Sequence, residues 1–391
     1  MTASFSIARI PKVVFGAGRA RELPRLTAGF GGTALVVTGA GALTRSNWDA
    51  LHEAFQKERV SVVHAAMRGE PTPDWVDATA SAFREADIRV VIGFGGGSAM
   101  DAGKAVSAML RSSGSVVDFL EGVGTRPHSG LKVPLIAVPT TAGTGSEATK
   151  NAVLSRVGPG GFKKSLRHDN FVPDVALIDP ELTLSCPPGV SAACGLDAFA
   201  QLLEGYVSTK ATPFTDALAL SGIEALRGHL VEVCGDAAGD VEARSQMAYA
   251  AYLSGVVLAN AGLGVVHGLA GPVGASHPIP HGVICGLLTA PAIEANVQAL
   301  LEAGAQGEPA LSKYARVGAL LTGADSRKPE DCRRGLVLTV REWTSALRLP
   351  RLGSFGFKEA DIDPVLVQAE SKCNPVELGA EELRSLLAAA V

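Results

Sequence analysis

Two histidines and a carboxylate–amide pair carry the chemistry that this chain suggests. His267 and His281 lie fourteen residues apart in a segment almost free of charged residues. Upstream, Asp197 and Gln201 are spaced i and i+4, which places them on one face of a helix, one turn apart. One carboxylate and two imidazoles are ligands for a divalent transition metal. Either pair of residues alone is weak evidence, since histidines are also common in protein cores and aspartates at helix caps. Together the two pairs predict a metal site.

Two glycine-rich loops in the first half favour phosphate binding. Glycines let the backbone approach a pyrophosphate, and the helix that follows offers its N–H groups. The first loop consists of Gly95, Gly96, Gly97 and Ser98, and the second contains Thr140, Thr141, Thr144 and Ser146. One such loop could be a plain strand-to-helix turn, but two fit the ligand crevice of an open α/β sheet. Neither has the Rossmann or Walker spacing, so nucleotide binding is predicted by a different fingerprint.

The secondary-structure elements that position these groups follow two different sequence patterns, one in each half of the chain. Apolar runs alternate with helical stretches such as Asp74–Glu85, which predicts a doubly wound, mostly parallel sheet. The candidate strands are Ala34–Thr38, Arg59–His64, Arg89–Phe94 and Leu131–Val138, with Phe5–Phe15 as an outer hairpin strand. From Ser191 onward the pattern is helical, for example over Thr215–Leu230 and Ala243–Leu258. We expect an α/β dinucleotide-binding domain over residues 1–183 and an all-helical domain over residues 184–391.

Composition restricts the class of protein. The net charge is −4 and no run of Lys or Arg is present, which argues against a nucleic-acid partner. The N-terminal residues lack a signal-peptide pattern, and apolar runs such as Val133–Val138 are too short to cross a membrane. The six cysteines show no CxxC spacing, which is typical of reduced thiols. We therefore expect a cytoplasmic enzyme with no membrane partner.

Five motifs, in this order along residues 12–300, resemble those of the iron-containing alcohol dehydrogenases. They are Gly95-Gly96-Gly97-Ser98-x-x-Asp101-x-x-Lys104, Pro139-Thr140-Thr141-x-Gly143-Thr144-Gly145-Ser146-Glu147, Asp179-Pro180-Glu181-Leu182, Gly195-Leu196-Asp197-Ala198, and His267-Gly268 with Pro280-His281-Gly282. The resemblance implies a nicotinamide-dependent alcohol dehydrogenase or aldehyde reductase. It also implies an N-terminal dinucleotide-binding domain, an all-α C-terminal domain like that of dehydroquinate synthase, a metal site in the cleft between them, and a homodimer.

The family's metal ligands carry over onto Asp197, His267 and His281, while its fourth ligand, a histidine, falls on Gln201. An amide oxygen is a weaker ligand than imidazole, but three ligands still support Fe²⁺ or Zn²⁺. The related glycerol dehydrogenases look similar in using one Asp and two His for zinc. A metal-free form, as in the related maleylacetate reductases, stays open.

The resemblance also implies catalytic roles. Asp197 and His267 would hold a Lewis acid against the substrate oxygen. A further family histidine falls on Gly271, and His277 is either its replacement or a loop residue without a catalytic role.

Cofactor contacts are implied in the same way. Thr140, Thr141 and Thr144 would line the nicotinamide side, and Lys163 would reach the ribose or be a surface lysine. Asp101 is either close to the cofactor or an acid that balances a helix dipole. Gly39 stands where NAD-using relatives often carry Asp, and Arg45 is near in sequence, which favours NADP over NAD. Alternatively Gly39 is a turn glycine and Glu70 contacts the ribose.

Two other classes of protein share parts of this pattern. A lyase like dehydroquinate synthase would need cations to hold an anionic substrate, yet residues 185–301 contain only Lys210, Arg227 and Arg244. A non-catalytic nucleotide-binding protein with a decayed metal site would explain Gln201 and Gly271. The best expectation is a small, uncharged primary alcohol or aldehyde as substrate.

Overall fold

The structure, a computed structural model, describes residues 4–40 and 45–391, with residues 45–47 described by their backbone only. Its contacts define two compact units. The first contains Ala8–Arg156 and Lys163–Cys186. The second contains Pro187–Val391, the short segment Val157–Phe162, and the described residues before Ala8.

The first unit is built on a six-stranded parallel sheet. Its strands are β1 (Lys12–Phe15), β2 (Thr33–Gly39), β3 (Ser61–Met67), β4 (Ile88–Gly95), β5 (Leu135–Pro139) and β8 (Val175–Ile178). Their order is β1-β8-β5-β4-β2-β3, and each paired neighbour runs parallel. The strands β6 (Asn151–Arg156) and β7 (Phe162–Arg167) form a separate two-stranded sheet. Buried side chains such as Val36, Ile92 and Ile136 form the core of the large sheet, as expected for a parallel sheet covered on both faces.

The helices of this unit are α1 (Leu23–Ala28), α2 (Arg45–Lys57), α3 (Pro73–Phe83) and α4 (Gly97–Met109). The alternation of strands and helices confirms the predicted α/β fold. Parallel neighbours bring the carboxyl ends of β2, β4 and β5 to one edge of the sheet, where the two glycine-rich loops follow β4 and β5.

Several sequence-based boundaries were wrong. Phe5–Phe15 is not a hairpin strand, because β1 begins only after Pro11 and pairs in parallel with β8, Lys12 opposite Val175. An apolar pattern does not reveal strand direction, and this partner lies far along the chain. The second strand begins at Ser61 rather than Arg59, since Arg59 has a φ of 59° that does not fit a strand. The strand expected over Leu131–Val138 begins at Leu135.

The second unit is mostly helical, which confirms the helical pattern predicted after Ser191. Its helices are α5 (Pro188–Val207), α6 (Pro213–Arg227), α7 (Val241–Ala261), α8 (Val265–Ser276), α9 (His281–Glu302), α10 (Glu308–Thr322), α11 (Pro329–Ala346), α12 (Ile362–Leu366) and α13 (Ala380–Ala388). Helices α8 and α9 share an apolar core with α5 and the C-terminal helices, in which Leu269, Ile284 and Leu387 are buried. By length and composition α9 also passes for a membrane span, contrary to the expectation that apolar runs are too short, but more than half of its apolar window is buried in this core.

Candidate metal centre and cofactor loops

Helix α5 carries three polar side chains through an apolar interior. Asp197, Gln201 and Glu204 are 2%, 2% and 7% exposed, and their spacing of four and then three residues places them on one face of the helix. Burying ionised carboxylates is costly unless they meet opposite charge or hydrogen-bond donors. These groups therefore need partners from neighbouring helices, and α8 and α9 supply them.

His267 on α8 lies between the two carboxylates. Its Nδ1 is 2.6 Å from Glu204 Oε2, and its Nε2 is 3.2 Å from Asp197 Oδ1. The other oxygen of Glu204 accepts a hydrogen bond of 2.7 Å from the backbone N–H of Val266. Glu204 thus holds the residue before the histidine as well as its ring. A carboxylate on one ring nitrogen fixes the tautomer and directs the other nitrogen at a ligand.

Helix α9 completes the cluster from its first turn. His281 is the first helical residue, and its Nε2 lies 3.7 Å from Asp197 Oδ1. Cys285 follows one turn later, with its Sγ 3.7 Å from His267 Nε2 and 3.6 Å from His281 Nε2. One ligand atom from each of Asp197, His267, His281 and Cys285 lies within 4.8 Å of the other three. The arrangement places two nitrogens, one oxygen and one sulfur around a common point.

The electrostatics of this cluster favour a cation. Burial works to raise the pKa of Asp197, but His281 and His267 outweigh it and hold the pKa below its ordinary value. Burial likewise works to lower the pKa of His267, but Cys285, Asp197 and Glu204 hold it well above its ordinary value. Burial raises the pKa of the Cys285 thiol to about 12. Among the described residues, the ion pairs of Asp197 and Glu204 go only to the two histidines. Two buried carboxylates thus attract positive charge, and the donor set fits a divalent metal.

The structure places the other predicted site residues of the helical unit differently. Gln201 is buried, and its Oε1 accepts a hydrogen bond of 2.8 Å from Ser254 on α7. His277, at the end of α8, lies 3.7 Å from Asp361 and packs edge-on against Phe357. Its Nδ1 also lies 3.0 Å from Ser276 Oγ, and none of these described partners belongs to the metal cluster. A proton-relay role for His277 therefore gains no support from these contacts.

The two glycine-rich loops of the α/β unit meet, as their positions after neighbouring strands imply. The backbone N–H of Thr140 donates to Gly95 O at 3.0 Å. Helix α4 begins at Gly97, and a side-chain carbon added there would lie only 2.6 Å from Thr144 Cγ2. The threonine loop therefore lies against the first turn of α4, where N–H groups are available to an anion. Ser98, Thr140 and Thr141 are half-buried beside it.

Asp101 and Lys104 on α4 form hydrogen bonds that connect this helix to the second loop and to β6. Asp101 Oδ1 accepts from Ser146 Oγ at 2.5 Å, and its Oδ2 accepts from the backbone N–H of Val153 at 3.1 Å. The fully buried Lys104 Nζ donates to Ser146 Oγ at 2.7 Å and to Asn151 O at 2.7 Å. These contacts give Asp101 a structural part in joining α4 to the second loop and β6.

The residues predicted to read the cofactor ribose lie at different points of the same unit. Gly39 ends β2, and a side-chain carbon added there would meet nothing within 4 Å. Glu70 and Lys163, predicted as separate cofactor contacts, form an ion pair with each other. The side chain of Arg45 lies outside the described residues.

Sequence reasoning missed Glu204 and Cys285. Glu204 continues the spacing of Asp197 and Gln201 by three residues, and Cys285 follows His281 by four, so both lie on ligand-bearing helix faces. Those intervals are the signal that identifies them. The cysteine was instead counted among scattered, buried thiols.

Comparison with known proteins agrees with this geometry. The profile of "Iron-containing alcohol dehydrogenase" matches residues 11–180, and that of "Fe-containing alcohol dehydrogenase family, C-terminal" matches residues 191–391. Alcohol dehydrogenase 4 of Saccharomyces cerevisiae is 33% identical over 361 residues, covering 90% of each chain. The NADPH-dependent butanol dehydrogenase of Clostridium saccharobutylicum is 29% identical, covering 96% of this chain and 95% of that one. The solved structure of an alcohol dehydrogenase from Oenococcus oeni superposes with a TM-score of 0.86 at 26% identity, over 99% of this chain and 100% of that one.

A chain with this fold, this donor cluster and these relatives belongs to the iron-containing alcohol dehydrogenase family. It is an NAD(P)-linked oxidoreductase that interconverts alcohols and aldehydes. The family implies a nucleotide cofactor and a divalent metal, mainly iron.

A glycine beside the metal cluster generates the first prediction. A side-chain carbon at Gly268 would lie 1.8 Å from the backbone oxygen of Glu370, whereas one at Gly271 would meet nothing within 4 Å. Gly268→Ala should therefore displace α8, lower the free energy of unfolding by about 1–3 kcal/mol, and weaken metal retention. Gly271→Ala on the same helix is the matched control and should keep the metal and raise the free energy of unfolding by up to about 1 kcal/mol, because alanine favours a helix interior over glycine. Urea unfolding and elemental analysis measure both effects, and an unchanged Gly268→Ala would contradict the packing described.

Proposed function

We propose that this protein is a metal-dependent reductase of small, uncharged aldehydes and dehydrogenase of the corresponding primary alcohols. The observation that carries the proposal is the cluster of the buried Asp197 and His267 with the partly exposed His281, backed by Glu204. We further propose Fe²⁺ or Zn²⁺ as the metal and NADP(H) as the preferred cofactor, with NAD(H) tolerated.

The residues of the cluster have different roles. Asp197, His267 and His281 would hold the ion, and Glu204 acts as a positioning residue because it orients the ring of His267. When bound, a divalent cation supplies a Lewis acid that stabilises negative charge on the substrate oxygen. The apolar walls around α8 and α9 exclude water, which strengthens that interaction.

On the cofactor side, the residues supply binding and orientation. The N-terminus of α4 and the glycines of the first loop offer backbone N–H groups to the pyrophosphate. Thr140, Thr141 and Thr144 would border the nicotinamide, which would supply or accept the hydride when bound. The ion pair of Lys163 with Glu70 gives that lysine a fixed position from which to reach the ribose.

The preference for an uncharged substrate follows from the cations of the helical unit. Arg244 is buried and donates to Ser191 and to the carbonyl of Ala238, and Arg227 lies beside Glu224. Lys372, from outside the range considered in the sequence, donates to the carbonyl oxygen of His267. Arg244, the one buried cation of residues 185–301, is therefore engaged by the protein itself, while Arg227 and Lys210 are exposed. This range offers no buried cation that is free to hold an anionic substrate.

Removing one ligand tests this function. Wild-type protein should carry about one Fe or Zn per chain and reduce small aldehydes with a nicotinamide cofactor. His267→Ala should lose the metal and lower kcat/KM by more than about 100-fold, the upper end of the cost of losing an outer partner. His229→Ala, a partly exposed histidine on the loop after α6, is the control and should change neither. Full metal retention in His267→Ala would overturn the ligand assignment, and turnover by metal-free wild type would favour the metal-free mechanism.

Cofactor choice is tested at the end of β2. Gly39→Asp has room for its side chain, and its charge would repel a 2′-phosphate and accept hydrogen bonds from a ribose. We expect the ratio of kcat/KM for NADPH over NADH to exceed one in wild type and to fall at least about tenfold in the variant, or 1.4 kcal/mol. Ser61→Asp adds the same charge at the opposite, exposed end of the sheet and should leave the ratio unchanged. A strong NADH preference in wild type would contradict the proposal.

We also propose a cytoplasmic homodimer. The strand β1 lies at the edge of the large sheet, and Ile10, Val13 and Phe15 expose apolar surface along it. A second copy would cover the apolar surface along this edge strand. Light scattering at micromolar concentration should give twice the chain mass of 40.1 kDa, and the mass of one chain would count against the dimer.

A further inference from the structure

We propose that Cys285 is the fourth protein ligand of the metal and takes the place that Gln201 leaves open. The inference rests on the proposed metal-dependent function and adds a thiolate to the site. The family resemblance assigns this cysteine no role. Its position among three candidate ligands assigns it one.

Four of the six distances among the donor atoms match those of a tetrahedral metal site. Bonds of about 2.05 Å to nitrogen or oxygen and about 2.3 Å to sulfur would place N···O edges near 3.3 Å and S···N edges near 3.6 Å. The Sγ of Cys285 lies 3.6 Å and 3.7 Å from the two histidine Nε2 atoms. Those nitrogens lie 3.2 Å and 3.7 Å from Asp197 Oδ1. All four distances are within about 0.4 Å of an ideal tetrahedron's edges.

A purely structural thiol would have different surroundings. Free cysteines are common in cores, where they pack among apolar side chains. Cys285 belongs to such a core through its helix, yet its sulfur faces the ring nitrogens of His267 and His281. Both are the nitrogens that face Asp197. A sulfur directed at two metal-binding nitrogens is positioned as a ligand.

Gln201 is the weaker candidate for the fourth position. Its amide oxygen is neutral and accepts a hydrogen bond from Ser254. A thiolate carries a full negative charge and, together with Asp197, neutralises a divalent ion. Coordination replaces the S–H bond by a metal–sulfur bond, and the proton passes to solvent.

Sulfur also changes which metal the site prefers. Thiolate is a soft ligand, and sites that combine sulfur and nitrogen favour zinc over the ferrous ion. A site with one oxygen, two nitrogens and one sulfur should therefore select Zn²⁺. Competition between Zn²⁺ and Fe²⁺ for metal-free protein should leave zinc bound, and Cys285→Ser should reduce that preference.

Cobalt provides a direct readout, because a thiolate bound to Co²⁺ gives an intense near-ultraviolet charge-transfer band. Metal-free wild type loaded with Co²⁺ should show this band together with the visible bands of tetrahedral cobalt. Cys285→Ser should lose the charge-transfer band and bind Co²⁺ at least about 100-fold more weakly. Cys332→Ser, at another fully buried cysteine on α11, is the matched control and should keep both. Gln201→Ala should keep the band as well.

Two further variants guard against misfolding and stray thiols. A chain in which the other five cysteines are serine should retain the band, since Cys285 alone supplies it. The double variant Gln201→His/Cys285→Ser should regain Co²⁺ affinity without the band, because imidazole then fills the fourth position.

The outcomes separate this inference from the proposed function. If wild type binds one Co²⁺ and turns over aldehyde but shows no thiolate band, Cys285 is not a ligand and the metal-dependent function stands. Loss of the ion in Gln201→Ala but not in Cys285→Ser would overturn the inference in the same way. If wild type binds no cobalt, zinc or iron, both the function and the inference are wrong.

Discussion

The imidazole of His267 is held between two buried carboxylates, and the helical unit is arranged so that they can reach it. Asp197 and Glu204 lie two turns apart on α5, and the ring spans the distance between them. Either carboxylate would be costly in this apolar interior without opposite charge, and the imidazoles of His267 and His281 that face them are neutral when they bind a metal. The surplus of negative charge is the physical reason for a cation here. The glycine after His267 serves the same end, because it lets α8 lie against the backbone at Glu370.

The α/β unit differs from the helical unit in that its loops are suited to bind an anion. Its loops follow adjacent parallel strands, so they meet without long connections. The buried Lys104 on α4 links them by donating hydrogen bonds to Ser146 and to the backbone of Asn151. Positive charge is thus kept inside the scaffold, while the loop surface offers mainly backbone N–H groups and hydroxyls. Backbone donors fix the position of a phosphate without the mobility of long side chains.

The sequence predicted this architecture well where local pattern determines it. Buried runs such as Ala34–Thr38 and the helical periodicity after Ser191 are local properties, and both led to the observed elements. Phe5–Phe15 failed because its true partner, β8, is distant in sequence, and strand direction depends on that pairing. Asp197, His267 and His281 were found through their motifs. Glu204 and Cys285 follow other site residues at helical intervals, but many residues share such intervals, and the packing of α5, α8 and α9 distinguishes these two. Lys163 and Glu70 were both predicted to contact the cofactor, but their ion pair depends on the tertiary structure and cannot be seen from their spacing in the sequence.

The placement of the donors also sets an order of events during synthesis. The α/β unit is complete once Cys186 has left the ribosome, apart from the segment Val157–Phe162, which belongs with the helices and whose Gly158 N–H donates to Ala275 O. Domains generally fold as units, N-terminal first. The nucleotide-binding half can therefore form before any metal donor exists, and the donor cluster is complete only after residue 285 emerges. Metal binding is therefore a late step in the synthesis of the protein. The hydrogen bond of Gly158 likewise forms only after α8 has been synthesised.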